Sequence, residues 1–133
     1  MNVSDEAREW VDAAERDRDA VHILVEAARI PYEIVAFHAQ QCAEKYLNAL
    51  LIQHSRHVPF VHDLLKLNRD AQDLCDHLVE LEPECERLTP FGTVTRYPGS
   101  AMLPGPEHMP LVTQWMESIR ATVRSCLELH RQE

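Results

Sequence analysis

Glycine is scarce. The 133-residue chain has three, Gly92, Gly99 and Gly105, and all fall in one short region. Five of its eight prolines, Pro90, Pro98, Pro104, Pro106 and Pro110, crowd into the same stretch. A chain that keeps its helix breakers together favours long helices interrupted by one loop. No run approaches the ~18 apolar residues of a membrane span. The opening segment, MNVSDEAREW, is acidic and lacks the basic start and apolar core of a secretory leader. A cytoplasmic location is therefore expected. Positive charge is scarce as well, with a formal net charge of −9. That excludes a nucleic-acid protein working through a broad basic surface, though not one with a small basic pocket.

Other absences narrow the chemistry. Four cysteines, Cys42, Cys75, Cys85 and Cys126, stand far apart without a CxxC pair. Zinc-knuckle and thioredoxin-like motifs are thereby excluded. In the cytoplasm all four are expected to stay reduced, with Cys42, Cys75 and Cys126 packing as small hydrophobes. There is no glycine-rich phosphate loop. His54, His57 and His62 lie close together, but only Asp63 could complete a ligand set, so neither metal nor cofactor is expected. What remains, 45% hydrophobic and 26% charged residues, suits one folded domain over residues 1–133.

Apolar periodicity places four helices. The first runs from Ser4, a good N-cap, to Arg29, and the second from Tyr32 to His54. A hinge, Ser55–Pro59, leads to a third helix from His62 or Asp63 to Leu81, where Pro83 should stop it. The segment from Leu88 to Met109 has no periodicity, and the last helix runs from Pro110 to His130. No strand pattern or repeat competes. The expected fold is all-α: an antiparallel up-and-down four-helix bundle with one long loop before the last helix.

Charge is uneven. Residues 1–30 carry eight acids against four arginines, and residues 73–87 six acids against one arginine. Between Lys45 and Arg69 the sign reverses: Lys45, Arg56, Lys66 and Arg69 face only Asp63. This basic, histidine-rich island reads either as an anion site, helped by a helix starting at His62-Asp63, or as a solvated turn.

On the second helix, FHAQQCAEKYLNALL (residues 37–51) resembles the signature of the HEPN domain family, with its aromatic, Ala-Gln-Gln and Glu-Lys elements. His62-Asp-Leu64 matches the family's His-[Asp/Glu]-Leu element, and Arg96-Tyr-Pro98 its loop element. Trp10, Asp17 and Ala20 suit the family's first helix. The resemblance implies a helical bundle, a homodimer, and binding of nucleotide or RNA. Many such proteins pair with a nucleotidyltransferase as one half of a toxin–antitoxin system. Others are metal-independent ribonucleases, in which an arginine precedes a histidine at short spacing.

Three such pairs occur here, Arg16 with His22, Arg56 with His62, and Arg124 with His130, each with five residues between. Composition alone gives about two by chance, so position must decide. The candidate catalytic residues are His62 with Arg56, or His130 with Arg124; the histidine would take a proton and the arginine would hold phosphate. The candidate ligand-binding residues are Lys45, Arg56, His62, Arg96, Tyr97 and Gln41. Each has a structural alternative: a hinge hydrogen bond for His62, an exposed turn for Arg56, a loop pin for Arg96 and Tyr97. Gln41, Glu44, Lys45 and Asn48 form one stripe that could line a pocket, a dimer seam or an ion pair. Trp10 or Trp115 could supply an apolar dimer seam. Three functions stay open: nucleotide or RNA binding, metal-independent RNA cleavage, and a non-catalytic dimerisation or partner-binding module.

Overall fold

The computed structural model describes residues 2–92 and 103–129, so Arg96, Tyr97 and His130 lie outside the described residues. Among the described residues all regular structure is helical. The α-helices are α1 (Asp5–Leu24), α2 (Tyr32–Gln53), α3 (Leu64–Ala71), α4 (Glu82–Leu88) and α5 (Met109–Cys126). Short 3-10 turns at Asp76–Leu81, Thr89–Phe91 and Pro106–His108 join them. No helix of the described residues is long and apolar enough to cross a membrane.

The chain signals act as their chemistry dictates. Ser4 caps α1 by accepting from the Ala7 N–H at 3.1 Å, and Asp5 and Glu6 occupy the positive end of its dipole. The end of α2 closes with Ser55 in the left-handed region (φ 58°). The Ser55 N–H then donates to the Ile52 carbonyl and the Arg56 N–H to the Leu51 carbonyl, both at 2.9 Å. Glu128 (φ 60°) ends α5 in the same way, so that helix stops at Cys126 rather than reaching His130.

Helix α2 is the centre of the molecule and is buried along most of its length. It packs on α1, α5 and α3. One hydrophobic cluster draws on every helix, from Val11 in α1 through Tyr46, Leu47 and Leu50 in α2 to Met116, Ile119 and Val123 in α5. Trp10 and Trp115 are partly buried against it.

Helix directions follow from the side-chain contacts. Helix α1 is antiparallel to α2: Ser4 meets Gln53, and Asp17 meets both Lys45 and His38. Helix α5 is antiparallel to α1: Arg18 meets Glu117, and Glu15 meets Arg120. Helix α3 departs from the expected up-and-down order. Its start lies by Gln40 and Glu44, through His62, and its end lies by Arg56, through Asp70 and Asp73. It therefore runs in the same direction as α2. Residues 54–63 lie back along α2 as an extended strap, and ten extended residues reach about 33 Å, enough to retrace a long helix.

The third helix is also shorter than expected. It breaks after Ala71, and the chain returns through the 3-10 turn and α4, antiparallel to α3. The Asn68 amide donates to the Leu78 carbonyl, and Gln72 donates to Glu82, so side chains hold the reversal. Pro83 does not stop a helix; it sits in the first turn of α4, where its missing N–H costs nothing.

The cysteine expectation is corrected. Cys75, at the end of the α3 turn, and Cys126, at the end of α5, are disulfide-bonded with Cα atoms 5.8 Å apart. Parallel α3 and α5 bring their ends together, which linear spacing did not reveal. Cys42 and Cys85 are free and buried, and burial pushes the Cys85 thiol up to about 11.

Candidate functional site

The strap carries the site. Val58 is buried, and the Val61 N–H donates to the Pro59 carbonyl at 2.9 Å, a γ-turn with Phe60 at its tip. The strap ends at His62, whose carbonyl accepts from the Gln40 amide at 2.9 Å. The His62 Nδ1–H donates to Glu44 Oε1, also at 2.9 Å. An ionised carboxylate only accepts, so Nδ1 carries the proton. The His62 side chain is 61% exposed and Glu44 only 12%. A buried carboxylate thus orients an imidazole at the surface.

Gln40 organises this corner. It is fully buried, it also donates to Glu44 at 3.2 Å, and its carbonyl accepts from Gln41 at 2.8 Å. Gly92 packs on it: a Cβ there would come within 2.9 Å of the Gln40 amide nitrogen. A larger residue there would have to displace the Gln40 amide. Half a turn along α2, Asp17 accepts from His38 Nδ1–H at 2.8 Å and from Lys45 Nζ at 2.6 Å. Asn48, one turn further, keeps its Oδ1 buried without a hydrogen-bond partner.

The basic island is neutralised in three dimensions. Each of its four cations meets a carboxylate from outside the segment: Lys45 with Asp17, Arg56 with Asp73, Lys66 with Asp70, and Arg69 with Glu82. Arg56 grips Asp73 with both terminal nitrogens and donates to the Asp70 carbonyl at 2.9 Å. That hydrogen bonding holds the Asp73 carboxyl below, and the Arg56 guanidinium above, their ordinary values. A hollow of about 340 Å³ lies beside this pair, lined by Leu51, Arg56, His57 and Asp70.

The start of α3 is filled from within the chain too. Asp63 accepts from the Leu65 and Lys66 N–H groups at 3.0 and 3.3 Å, and the Leu64 N–H donates to Thr89 Oγ1 at 3.0 Å. The first N–H groups of this helix end, which one reading of the island offered to an anion, are thus met by the protein's own oxygens.

Of the second candidate pair, Arg124 turns into the core. Arg124 is 4% exposed and donates to the Tyr46 hydroxyl at 3.0 Å. Tyr46 donates in turn to Glu15, which Arg120 grips at 2.7 and 3.0 Å. Burial, reinforced by the Glu15 hydrogen bond, pushes the Tyr46 phenol well up. Arg124 thus belongs to a core network between α1, α2 and α5, and His130 lies outside the described residues.

The structure brings His62 and Gln41 together on the Glu44 carboxylate. It places Lys45 on Asp17 and Arg56 on Asp73, partners far off in sequence. Gln40 was the residue missed. Its only signal was its place in the Ala-Gln-Gln element.

The HEPN domain family model matches residues 7–128. The chain belongs to the HEPN domain family. The match runs from α1 to the end of α5 and takes in the strap, His62 and the α2 stripe. No curated protein and no solved structure matches the chain. In this HEPN chain the second-helix element has a physical role: Gln40 ties the strap, Gln41 and Glu44 meet beside His62, and Lys45 braces α1.

Proposed function

We propose that this HEPN chain binds a nucleotide or an RNA segment at the surface where the strap ends on α2. The observation that supports it is the His62–Glu44 pair, an exposed imidazole oriented by a buried carboxylate. His62 offers Nε2 to a phosphate or ribose oxygen, and Gln41 flanks it. Lys45 and Arg56 enter as braces that fix α1 and the strap, with their charge close by. Arg96 and Tyr97 follow Gly92 in sequence and complete the ligand set of this reading. The family resemblance supports a cytoplasmic homodimer acting as the HEPN half of a nucleotidyltransferase-paired toxin–antitoxin system.

The test is fluorescence polarisation with a labelled RNA dodecamer, alongside calorimetry with nucleotides. His62→Ala should weaken binding about tenfold or more, the scale of a lost hydrogen bond to a charged group. Unchanged affinity would remove His62 from the site.

One observation favours a second reading, a metal-independent endoribonuclease. A carboxylate-held histidine with an outward Nε2 is arranged as a general base. In this reading His62 accepts the ribose 2′-hydroxyl proton, and Arg56 must leave Asp73 to reach phosphate. RNA cleavage in EDTA, lost in His62→Ala and kept in His130→Ala, is the expected result for that activity.

A further inference from the structure

Phe60 is the most exposed large hydrophobic residue among the described residues, at 93%. Its neighbours behave otherwise: Val58 is buried and Val61 packs against the core. The strap that carries it is fixed at both ends, by Arg56 on Asp73 and the Asp70 carbonyl, and by the His62 carbonyl on Gln40. The γ-turn then holds Phe60 at the apex. A ring held outward on a pinned loop is a presented surface, and the next residue but one is His62. Their Cα atoms are at most about 7 Å apart.

The surrounding chemistry indicates what the ring meets. The other exposed large hydrophobics, Ile23, Val79, Leu103 and Leu111, belong neither to the strap nor to α3. A single exposed ring, apart in the chain from the other exposed hydrophobics and two residues from His62, suits the face of a nucleobase. The cations of this region are all engaged with carboxylates, so binding here cannot draw mainly on charge.

We infer that Phe60 is a stacking platform for an unpaired nucleobase whose phosphate or ribose meets His62. This inference rests on the proposed nucleotide or RNA binding and adds a selection: a free base, in a mononucleotide or a single strand, over a duplex. It also adds a weak dependence on salt, because few phosphate charges are neutralised by lysine or arginine.

The experiment measures binding of a single-stranded RNA dodecamer, its duplex, and AMP to wild type and to Phe60→Ala, Phe60→Leu and Phe60→Trp. Loss of one stacked base should weaken single-strand binding about tenfold in both Phe60→Ala and Phe60→Leu. Phe60→Trp should stay near wild type, and the duplex should bind weakly to all four proteins. AMP binding lost with the same variants assigns the site to a mononucleotide; loss confined to the dodecamer assigns it to a strand. Equal binding by wild type and Phe60→Ala overturns the inference and leaves the His62 site standing. Retention in Phe60→Leu with loss in Phe60→Ala overturns stacking in favour of simple apolar contact. If self-association falls in Phe60→Ala while RNA affinity holds, Phe60 is a protein anchor and the inference fails. A wild type that binds no RNA or nucleotide overturns the proposed function, and the inference falls with it.

Discussion

His62 and Glu44 lie 18 positions apart in the chain, and the imidazole Nδ1–H donates to the carboxylate at 2.9 Å. The strap makes this possible by carrying the chain back along α2 before α3 begins. Gln40 holds both partners, through the His62 carbonyl and the Glu44 carboxylate. Gln40→Ala should therefore cost about 2 kcal/mol of stability, because it leaves buried polar groups unpaired. It should also weaken RNA binding, since it frees the histidine. Urea unfolding gives the first effect and polarisation the second. Lost stability with unchanged binding would mean that Glu44 alone orients His62.

The core network makes a separate prediction. Tyr46 donates to Glu15 and accepts from Arg124, all within the α1–α2–α5 interface. Tyr46→Phe keeps the ring and removes one hydroxyl. Two charged groups then each lose a partner, and the expected loss is about 2–3 kcal/mol. Because Arg124 acts here in the fold, Arg124→Ala should lower the melting temperature without selectively removing any RNA cleavage. A stable, folded Arg124→Ala protein that has lost cleavage would restore Arg124 as a phosphate clamp.

Much of this architecture is legible in the sequence, and the exceptions have physical causes. Ser4 and the apolar spacing of α1, α2 and α5 announce those helices within a turn or two. The end of the third helix is not legible. Leu74, Cys75 and Leu78 continue an apolar period across the break, and no glycine or proline marks it. Asn68 and Gln72 make the reversal through side-chain hydrogen bonds, which periodicity does not register. The neutralisation of the basic island is hidden for a related reason. Counting charges along a segment leaves out Asp17 and Glu82, which lie 28 and 13 positions from the cations they meet. His62 is legible because the His-Asp-Leu element marks it, whereas Phe60 stands out only once its exposure is known.

Acid should destabilise the protein by a defined route. Burial raises the Glu15 carboxyl, but hydrogen bonds from Arg120 and Tyr46 outweigh this and hold it below its ordinary value of 4.5. Glu117 is held low in the same manner, burial opposing and Arg18 prevailing. A carboxyl with a lowered folded-state value stabilises fully above its unfolded value, and that contribution is lost as the pH falls through the folded value. The loss should therefore lie below about pH 4.5. Glu15→Gln should differ strongly from wild type in melting temperature at pH 7 and much less at pH 3. An equal difference at both would place the acid sensitivity elsewhere.

The Cys75–Cys126 bond closes a loop across a sequence separation of 51. In the chain-entropy description a loop of this size contributes about 4 kcal/mol. Dithiothreitol should lower the melting temperature by roughly 15 °C. Cys75→Ser should melt like the reduced wild type and show no further response. A wild type indifferent to reductant would show that packing alone holds the ends of α3 and α5.

Arg56 allows the two roles of the basic island to be separated. As a phosphate ligand it competes with Asp73, so Asp73→Ala would free the guanidinium and tighten RNA binding. As the pin of the strap it works only through Asp73 and the Asp70 carbonyl. Either substitution would then loosen Phe60 and His62 together. The bidentate geometry favours the pin, because an arginine already held by two oxygens must break that pair before it meets a phosphate. Arg56→Ala and Asp73→Ala should therefore weaken binding alike, and the double variant should be no weaker than either. Both should change the salt dependence very little, since no phosphate contact is lost. Tighter binding by Asp73→Ala would return Arg56 to the ligand-binding set and, with it, favour the cleavage reading of the His62 site.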